Sequence, residues 1–165
     1  MSQRASTLID MEVEVVRSPR RKKTVQARIV EGRLRVSIPA HMTAAEEAHW
    51  VDVMRDKVLR RQSAGQIDLA KRSGRLATRL GLPIPREIVW SDRQRSLWGS
   101  CTIAEGRIRI ASRLAAYPRW VLDYVIVHEL AHLIEPNHSP AFWSLVNRYE
   151  KAERARGYLI AKGEE

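Results

Sequence analysis

The 165-residue sequence predicts an α+β fold in which a buried helix packs on a small antiparallel sheet. Stretches in which polar and apolar residues alternate indicate strands near the N-terminus and again between residues 87 and 111. Residues 121–134 are almost wholly apolar and too long for a strand, which indicates a buried helix. We expect an N-terminal β-hairpin or meander and two helices to precede this sheet and helix.

The N-terminal strands follow from the alternation of side chains. Residues 11–16 and 24–30 alternate, and the pattern resumes over residues 34–38 after Glu31-Gly32. A glycine between two alternating stretches is typical of a hairpin turn. Pro39 ends the last strand because proline cannot donate a hydrogen bond to a sheet. The three strands therefore predict a hairpin, or a meander that includes the first strand.

Two helices are predicted next. Thr43 has Glu46 three residues later, which is a capping box and predicts a helix over residues 44–62. A Ser-Ala-Gly break separates it from a second helix over residues 67–80, which ends at Gly81. Both helices carry basic residues on their outer faces, and the apolar stripe of the first is expected to pack in a core.

The C-terminal elements begin after a proline-containing link. Strands are predicted at 87–90, 96–103 and 107–111, and Pro118 is suited to the first turn of the buried helix. Ser139-Pro140 then starts another helix, with serine as the cap and proline as the first residue. The link at residues 82–85 separates a basic N-terminal part, 1–82, from a core, 83–165, and the basic part is either integral to one compact unit or a small subdomain.

The net charge of +10 is concentrated in the first part of the chain. Residues 1–100 hold 20 Lys and Arg against 11 Asp and Glu, whereas residues 101–165 hold 9 against 8. A solvated basic surface explains this asymmetry, and so does a contact surface for DNA as a partner. The candidate nucleic-acid contacts are Arg20, Arg21, Lys22, Lys23, Lys71 and Arg72.

Composition excludes several classes of protein. The single cysteine, Cys101, cannot form an internal disulfide framework or a cysteine-rich metal site. The sequence contains no apolar run of about 18 residues, so no transmembrane helix is predicted. The first residues lack the apolar segment of a secretory signal. We expect a cytoplasmic monomer.

The sequence His128-Glu129-Leu-Ala-His132 lies within the apolar helix. Residues four apart lie one turn apart on the same helix face, so His128 and His132 can both reach one metal ion. Glu129 lies about 100° around the helix from His128, beside the metal. A general base for metal-bound water is needed at that position.

A third ligand is expected from the residues that follow. Pro136 disfavours helical geometry at Glu135, so the helix should end there and the chain can turn back. His138 can then complete a three-histidine site with a fourth position open for water, as catalytic zinc requires. The alternative third ligand is a downstream carboxylate, Glu150 or Glu153.

Three segments together resemble the YgjP-like metallopeptidases, relatives of the SprT and Wss-type proteases. They are residues 95–101, Arg-Ser-Leu-Trp-Gly-Ser-Cys; residues 128–132, His-Glu-Leu-Ala-His; and residues 137–143, Asn-His-Ser-Pro-Ala-Phe-Trp. The resemblance implies a zincin-like catalytic core that binds zinc and hydrolyses peptide or protein substrates. It implies His128, His132 and His138 as the ligands and Glu129 as the acid–base.

Substrate contacts are predicted beside the metal site. An edge strand there can hold a peptide by strand addition, although packing on the metal helix is an alternative role for Trp98. A donor to the developing oxyanion is also expected, from Tyr124, Tyr149 or Tyr117. The candidate substrate-binding residues are Trp98, Gly99, Ser100 and Tyr124.

Two other functional classes stay open. One is a binding module in which zinc is structural and the basic half holds nucleic acid. The other is a zinc hydrolase that acts on a bond other than a peptide bond. Glu129 favours an enzyme over the binding module, because a structural zinc site needs no base beside the metal.

Overall fold

A computed structural model describes residues 11–94 and 96–162, which contain five α-helices and two three-stranded sheets. The α+β class predicted from the sequence is confirmed. The chain forms two compact units, residues 1–62 and 63–165. The predicted domains 1–82 and 83–165 stay a prediction, but the second helix contributes Leu76 and Ala77 to the core of the second unit.

The first unit is built on one sheet with the strand order β1-β3-β2. Strands β2 and β3 form the predicted antiparallel hairpin, and both turn residues, Glu31 and Gly32, have positive φ. The meander prediction is wrong, because β1 runs parallel to β3, with Val13 opposite Leu34. The strands are β1 (Val13–Ser18), β2 (Gln26–Val30) and β3 (Arg33–Pro39).

Helix α1 (Ala44–Gly65) covers one face of this sheet. The predicted capping box forms: Thr43 N donates to Glu46 Oε2 at 2.8 Å, and Glu46 N donates to Thr43 Oγ1 at 3.2 Å. The helix continues through the expected Ser-Ala-Gly break, since small residues there do not prevent helical geometry. Its apolar stripe packs on the sheet, and the buried core residues of this unit are Leu34, Val36, Ile38 and Met54.

The second unit contains a mixed sheet with the order β4-β6-β5. The prediction of an antiparallel sheet is wrong for one pair: β4 is parallel to β6, and only β5 is antiparallel to it. The reason is that β4 and β5 lie on opposite edges of β6, so these two consecutive strands do not form a hairpin. The strands are β4 (Glu87–Ser91), β5 (Gly99–Thr102) and β6 (Arg107–Ala111), and Arg95 lies outside the described residues.

Four helices complete the second unit: α2 (Leu69–Leu80), α3 (Arg119–His132), α4 (Pro140–Val146) and α5 (Ala152–Ala161). Helix α2 is capped by Asp68 and ends at Gly81 in the left-handed region, φ 63°. Helix α4 begins as predicted, with the Ser139 hydroxyl accepting from Phe142 N at 3.2 Å. Helix α5 was not predicted from the sequence.

Helix α3 lies at the centre of the second unit. It packs against α2, α4, α5, β5 and β6, and nine of its residues are buried. A helix enclosed in this way holds its polar side chains rigidly, because each must lie in the space that its neighbours leave. Over the residues that the structure describes, no helix is long and apolar enough to cross a membrane.

Candidate active site

Three histidines converge where α3 ends. One ring nitrogen from each of His128, His132 and His138 lies within 4.8 Å of the other two, and the Nε2 atoms of His128 and His138 are 3.1 Å apart. Tetrahedral zinc with Zn–N distances of about 2.0–2.1 Å separates two ligand nitrogens by about 3.3 Å. The donor set therefore fits one tetrahedral metal ion.

The chain reversal that brings in the third histidine is fixed by hydrogen bonds. Helix α3 ends at His132, and the amide of Glu135 still donates to Ala131 O at 2.9 Å before Pro136 stops further helical bonding. Nδ1 of His132 donates to the carbonyl of Glu135 at 3.1 Å, which leaves Nε2 as the acceptor nitrogen. The same turn therefore orients one ligand and returns the chain toward the site.

Burial keeps the two helical histidines neutral. It lowers the pKa of His128 to about 3, and the charges of His132 and His138 add to this effect. The pKa of His132 is also lowered, first by burial. A metal ligand must present an unprotonated nitrogen, so both imidazoles can bind a cation at neutral pH without first losing a proton.

Glu129 is buried beside this cluster but is not part of it. Its side chain is only 5% exposed, and burial raises the pKa of its carboxyl group to about 8. The backbone of Gly99 at the start of β5 lies directly against it. A carboxyl group with a pKa near neutrality can both accept and return a proton, as general acid–base catalysis requires.

A cleft of about 540 Å³ opens onto His128, His138 and Glu129. Its walls are mainly apolar and come from α3, α4, α5 and the segment that leads into β5. The apolar wall residues are Leu97, Trp98, Val125, Trp143, Leu159 and Ile160. A cleft of this size accommodates several side chains of an extended ligand.

The predicted substrate residues are not all in this cleft. Trp98, Gly99 and Tyr124 line it, and Trp98 is held by the Arg113 guanidinium, whose Cζ lies 4.2 Å from its ring centroid. Ser100 is not among the lining residues, and its hydroxyl accepts from Gln94 Nε2 at 2.6 Å. Gly99 and Ser100 are successive residues of β5 and point to opposite faces of the strand, whereas Trp98 lies just before the strand begins.

The three tyrosines predicted as candidate oxyanion donors differ in whether they line the cleft. Tyr149 donates its hydroxyl to Trp120 O at 3.2 Å, and the ring of Tyr117 packs on Trp98, so of the three only Tyr124 lines the cleft. Arg156, from α5, lines the cleft as well. Sequence reasoning missed Arg156 because helix α5 was not predicted; the apolar residues of that helix were the available signal.

The alternative ligands and the predicted nucleic-acid contacts lie elsewhere. Glu150 and Glu153 are exposed, and neither belongs to the histidine cluster. In the second unit, the Arg72 guanidinium is bound to both carboxylate oxygens of Asp123, at 2.5 and 2.9 Å. In the first unit, Arg21 donates to Thr24 and Gln26. The part that these basic residues play in binding DNA stays a prediction.

The sequence profile of the YgjP-like family, described as a metallopeptidase domain, matches residues 56–159. The chain belongs to the YgjP-like family. The matched range contains the three histidines, Glu129 and every residue that lines the cleft except Ile160. Membership in this family of metallopeptidases means a metal-dependent protease that acts on peptides or proteins.

Two solved structures are similar to this chain in fold. The metallopeptidase zymogen abylysin of Pyrococcus abyssi is 21% identical, with a TM-score of 0.50 over 56% of this chain and 91% of its own, which shows a shared fold. The metallopeptidase zymogen jannalysin of Methanocaldococcus jannaschii is 17% identical, with a TM-score of 0.49 over 59% of this chain and 98% of its own. No protein of curated function matches the chain significantly.

Proposed function

We propose that this chain is a zinc-dependent endopeptidase in which Glu129 is the general base. The observation that carries the proposal is the buried Glu129 carboxyl beside three convergent histidines at one cleft. His128, His132 and His138 would hold the zinc ion. When bound, zinc lowers the pKa of a coordinated water and polarises a carbonyl oxygen.

The histidines contribute fixed geometry. Their nitrogens are already within 4.8 Å of one another, so little rearrangement is needed to bind a cation. The hydrogen bond from His132 Nδ1 to Glu135 O sets the tautomer and the ring orientation. A ligand set held in this way favours one coordination geometry, which a hydrolytic site needs for accurate placement of the reacting groups.

Glu129 moves the protons of the reaction. Its carboxylate accepts a proton from the attacking water and then donates it to the nitrogen of the departing amine. Burial raises the pKa of this carboxyl group to about 8, which favours uptake of the proton. The hydroxyl of Tyr124, which lines the same cleft, is the proposed donor to the substrate carbonyl.

The substrate is proposed to lie along β5. This strand is at the edge of its sheet, since it pairs with β6 on one side only. An extended peptide can add to such an edge through main-chain hydrogen bonds, which give affinity without selecting side chains. Trp98 and Gly99 lie where this edge meets the cleft, and Ser100 follows on the strand as a proposed main-chain contact.

Metal content and peptide hydrolysis test this proposal in one experiment. Glu129→Gln is expected to keep its zinc and to lose about 10²–10⁴-fold in kcat on a casein-derived peptide. Glu150→Gln, which changes an exposed carboxylate outside the cluster, is the matched control and should retain full turnover. Equal turnover by wild type and Glu129→Gln would disprove the role of the base.

A second candidate function rests on the first unit. A cleft of about 490 Å³ there is lined by four basic residues and by no acidic one: Arg21, Arg28, Lys57 and Arg61. A group of cations around one cleft gives a positive potential that attracts a polyanion. We propose that this basic cleft binds nucleic-acid phosphates, so that the peptidase acts on proteins bound to DNA.

A cytoplasmic location and a monomeric state remain predictions from the sequence.

A further inference from the structure

Arg156 gives the active-site cleft a positive charge beside the histidine cluster. Among the described residues that line the cleft, it is the only Lys or Arg, and Glu129 is the only carboxylate. Arg156 is exposed, whereas Glu129 is buried. The accessible part of the cleft therefore combines apolar walls with one cation.

A stack of rings fixes the position of this guanidinium. The rings of His138 and Trp143 are stacked, with centroids 5.7 Å apart and an interplanar angle of 23°. Cζ of Arg156 lies 5.1 Å from the Trp143 ring centroid, on the same indole. This cation–π contact leaves N–H groups of the guanidinium available for an acceptor. Arg156 is thus linked through one indole to a proposed zinc ligand.

Among the described residues, no carboxylate forms an ion pair with this charge. Across the parts of the chain that the structure describes, Arg156 takes part in no ion pair, in contrast to Arg72 with Asp123. An arginine held at a cleft with open donors is suited to a carboxylate, which accepts two parallel N–H bonds from the guanidinium.

We propose that Arg156 binds a carboxylate of the peptide substrate and makes the enzyme prefer acidic peptides. The carboxylate comes from an Asp or Glu side chain near the cleaved bond or from the C-terminus of a short peptide. The Trp98 and Leu159 walls accept an apolar side chain beside it. This inference rests on the proposed peptidase function and adds the substrate class.

Helix α5 offers a matched pair of variants. Arg154 is also exposed and makes a cation–π contact, with Cζ 4.8 Å from the Trp120 ring centroid, but it does not line the cleft. Arg156→Gln removes the charge at the site, Arg156→Lys retains it, and Arg156→Glu reverses it. Arg154→Gln is the control for loss of an arginine in a cation–π contact on the same helix.

The substrates are peptides that differ only in charge. One series carries Glu, Gln or Lys at each position flanking the cleaved bond, and another has a free or an amidated C-terminus. We expect wild type to prefer the carboxylate member in kcat/KM by about tenfold, the value of one charge-assisted hydrogen bond near solvent. Arg156→Gln should abolish that preference, Arg156→Lys and Arg154→Gln should retain it, and Arg156→Glu should favour Lys.

Binding separates this inference from the proposed chemistry. The Kd of each peptide is measured with Glu129→Gln and with the double variant Glu129→Gln/Arg156→Gln, both loaded with zinc. Selective binding that depends on Arg156, without hydrolysis by wild type, would support the inference and contradict the peptidase proposal. The inference would be overturned if wild type hydrolysed or bound Glu and Gln peptides equally and also treated free and amidated C-termini alike.

Discussion

Gly99 and Glu129 are in such close contact that no side chain fits between them. A Cβ atom built on Gly99 would stand 2.5 Å from Oε1 of Glu129, 2.7 Å from Cγ and 2.8 Å from Cδ. These distances are far below van der Waals contact, and the glutamate is buried, so it has little space in which to move. Glu129, the proposed base, can therefore occupy this position only because residue 99 is glycine.

Gly99→Ala is expected to lose peptide hydrolysis while it retains bound metal, because the methyl group displaces the Glu129 carboxylate but not the histidines. Overpacking of this kind costs about 1–3 kcal/mol of folding free energy. Gly74→Ala in α2, where nothing lies within 4 Å of the added methyl, is the control and should be neutral or stabilising. Hydrolysis, metal content and urea unfolding are the measurements.

A double-variant cycle identifies the cause of that loss. In a Glu129→Ala background the side chain that clashes is absent, so Gly99→Ala should lower the free energy of unfolding much less than in wild type. An equal penalty in both backgrounds would show that the glycine is needed for another reason.

The third ligand is tested by metal affinity. His138→Ala should weaken zinc binding by more than the 10–100-fold typical of a lost supporting hydrogen bond, because a direct ligand is removed. Glu153→Ala should bind zinc as wild type does, since Glu153 lies outside the histidine cluster. Competition with a chromogenic chelator measures both. The reverse result would assign the third ligand to the carboxylate.

Cys101 should react slowly with alkylating reagents in the folded protein. Burial raises the pKa of its thiol to about 11, with a further contribution from the charge of Glu129. The thiolate is the reactive form, so at pH 8 only about one molecule in a thousand is reactive, against about a quarter for a free cysteine. The rate with iodoacetamide should therefore rise about tenfold per pH unit up to pH 10.

The comparison for Cys101 is the same protein in concentrated urea, where the thiol is exposed. Unfolding at pH 8 should increase the rate of alkylation by about two orders of magnitude. Similar rates for the folded and unfolded chain would show that β5 does not bury the thiol.

Charge reversal tests the proposed nucleic-acid contact. Arg28→Glu/Lys57→Glu/Arg61→Glu changes three of the four cations of the basic cleft. It should abolish binding to single-stranded DNA, for which the slope of log K against log salt is about −0.7 per phosphate neutralised. The equally charged control, Arg20→Glu/Lys22→Glu/Lys23→Glu, alters cations outside the cleft and should weaken binding less.

Heparin and polyglutamate are the competitors in that measurement. If the protein binds these polyanions as tightly as DNA, or if the two triple variants lose the same DNA affinity, the cleft is not a specific nucleic-acid site. It is then part of a generally basic surface.

The local features of this protein were readable from its sequence because they depend on neighbours in the chain. The capping box of Thr43 and Glu46 and the Ser139-Pro140 start of α4 involve residues at most three apart. The convergence of His128 and His132 follows from helix geometry alone, and Pro136 places His138 near them. The structure confirms the positions of these residues, and their catalytic and metal-binding roles remain proposals.

Long-range relationships were not readable in the same way. Alternation identifies a strand but does not say which strand pairs with it, so the parallel pairs β1–β3 and β4–β6 were missed. The approach of Gly99 to Glu129 depends on how β5 packs across α3. Arg156 enters the cleft only through the packing of α5. Each of these depends on contacts between residues distant in sequence.

A metal ion bound by the three histidines would restrain the turn between α3 and α4. His128 and His138 are 10 residues apart and lie on either side of the bend, with His138 directly before the cap of α4. A bound ion would act as a cross-link that closes this short loop and ties α4 to the central helix. Removing the ion should therefore accelerate amide hydrogen exchange first in residues 133–146, while exchange in the buried middle of α3 remains slow.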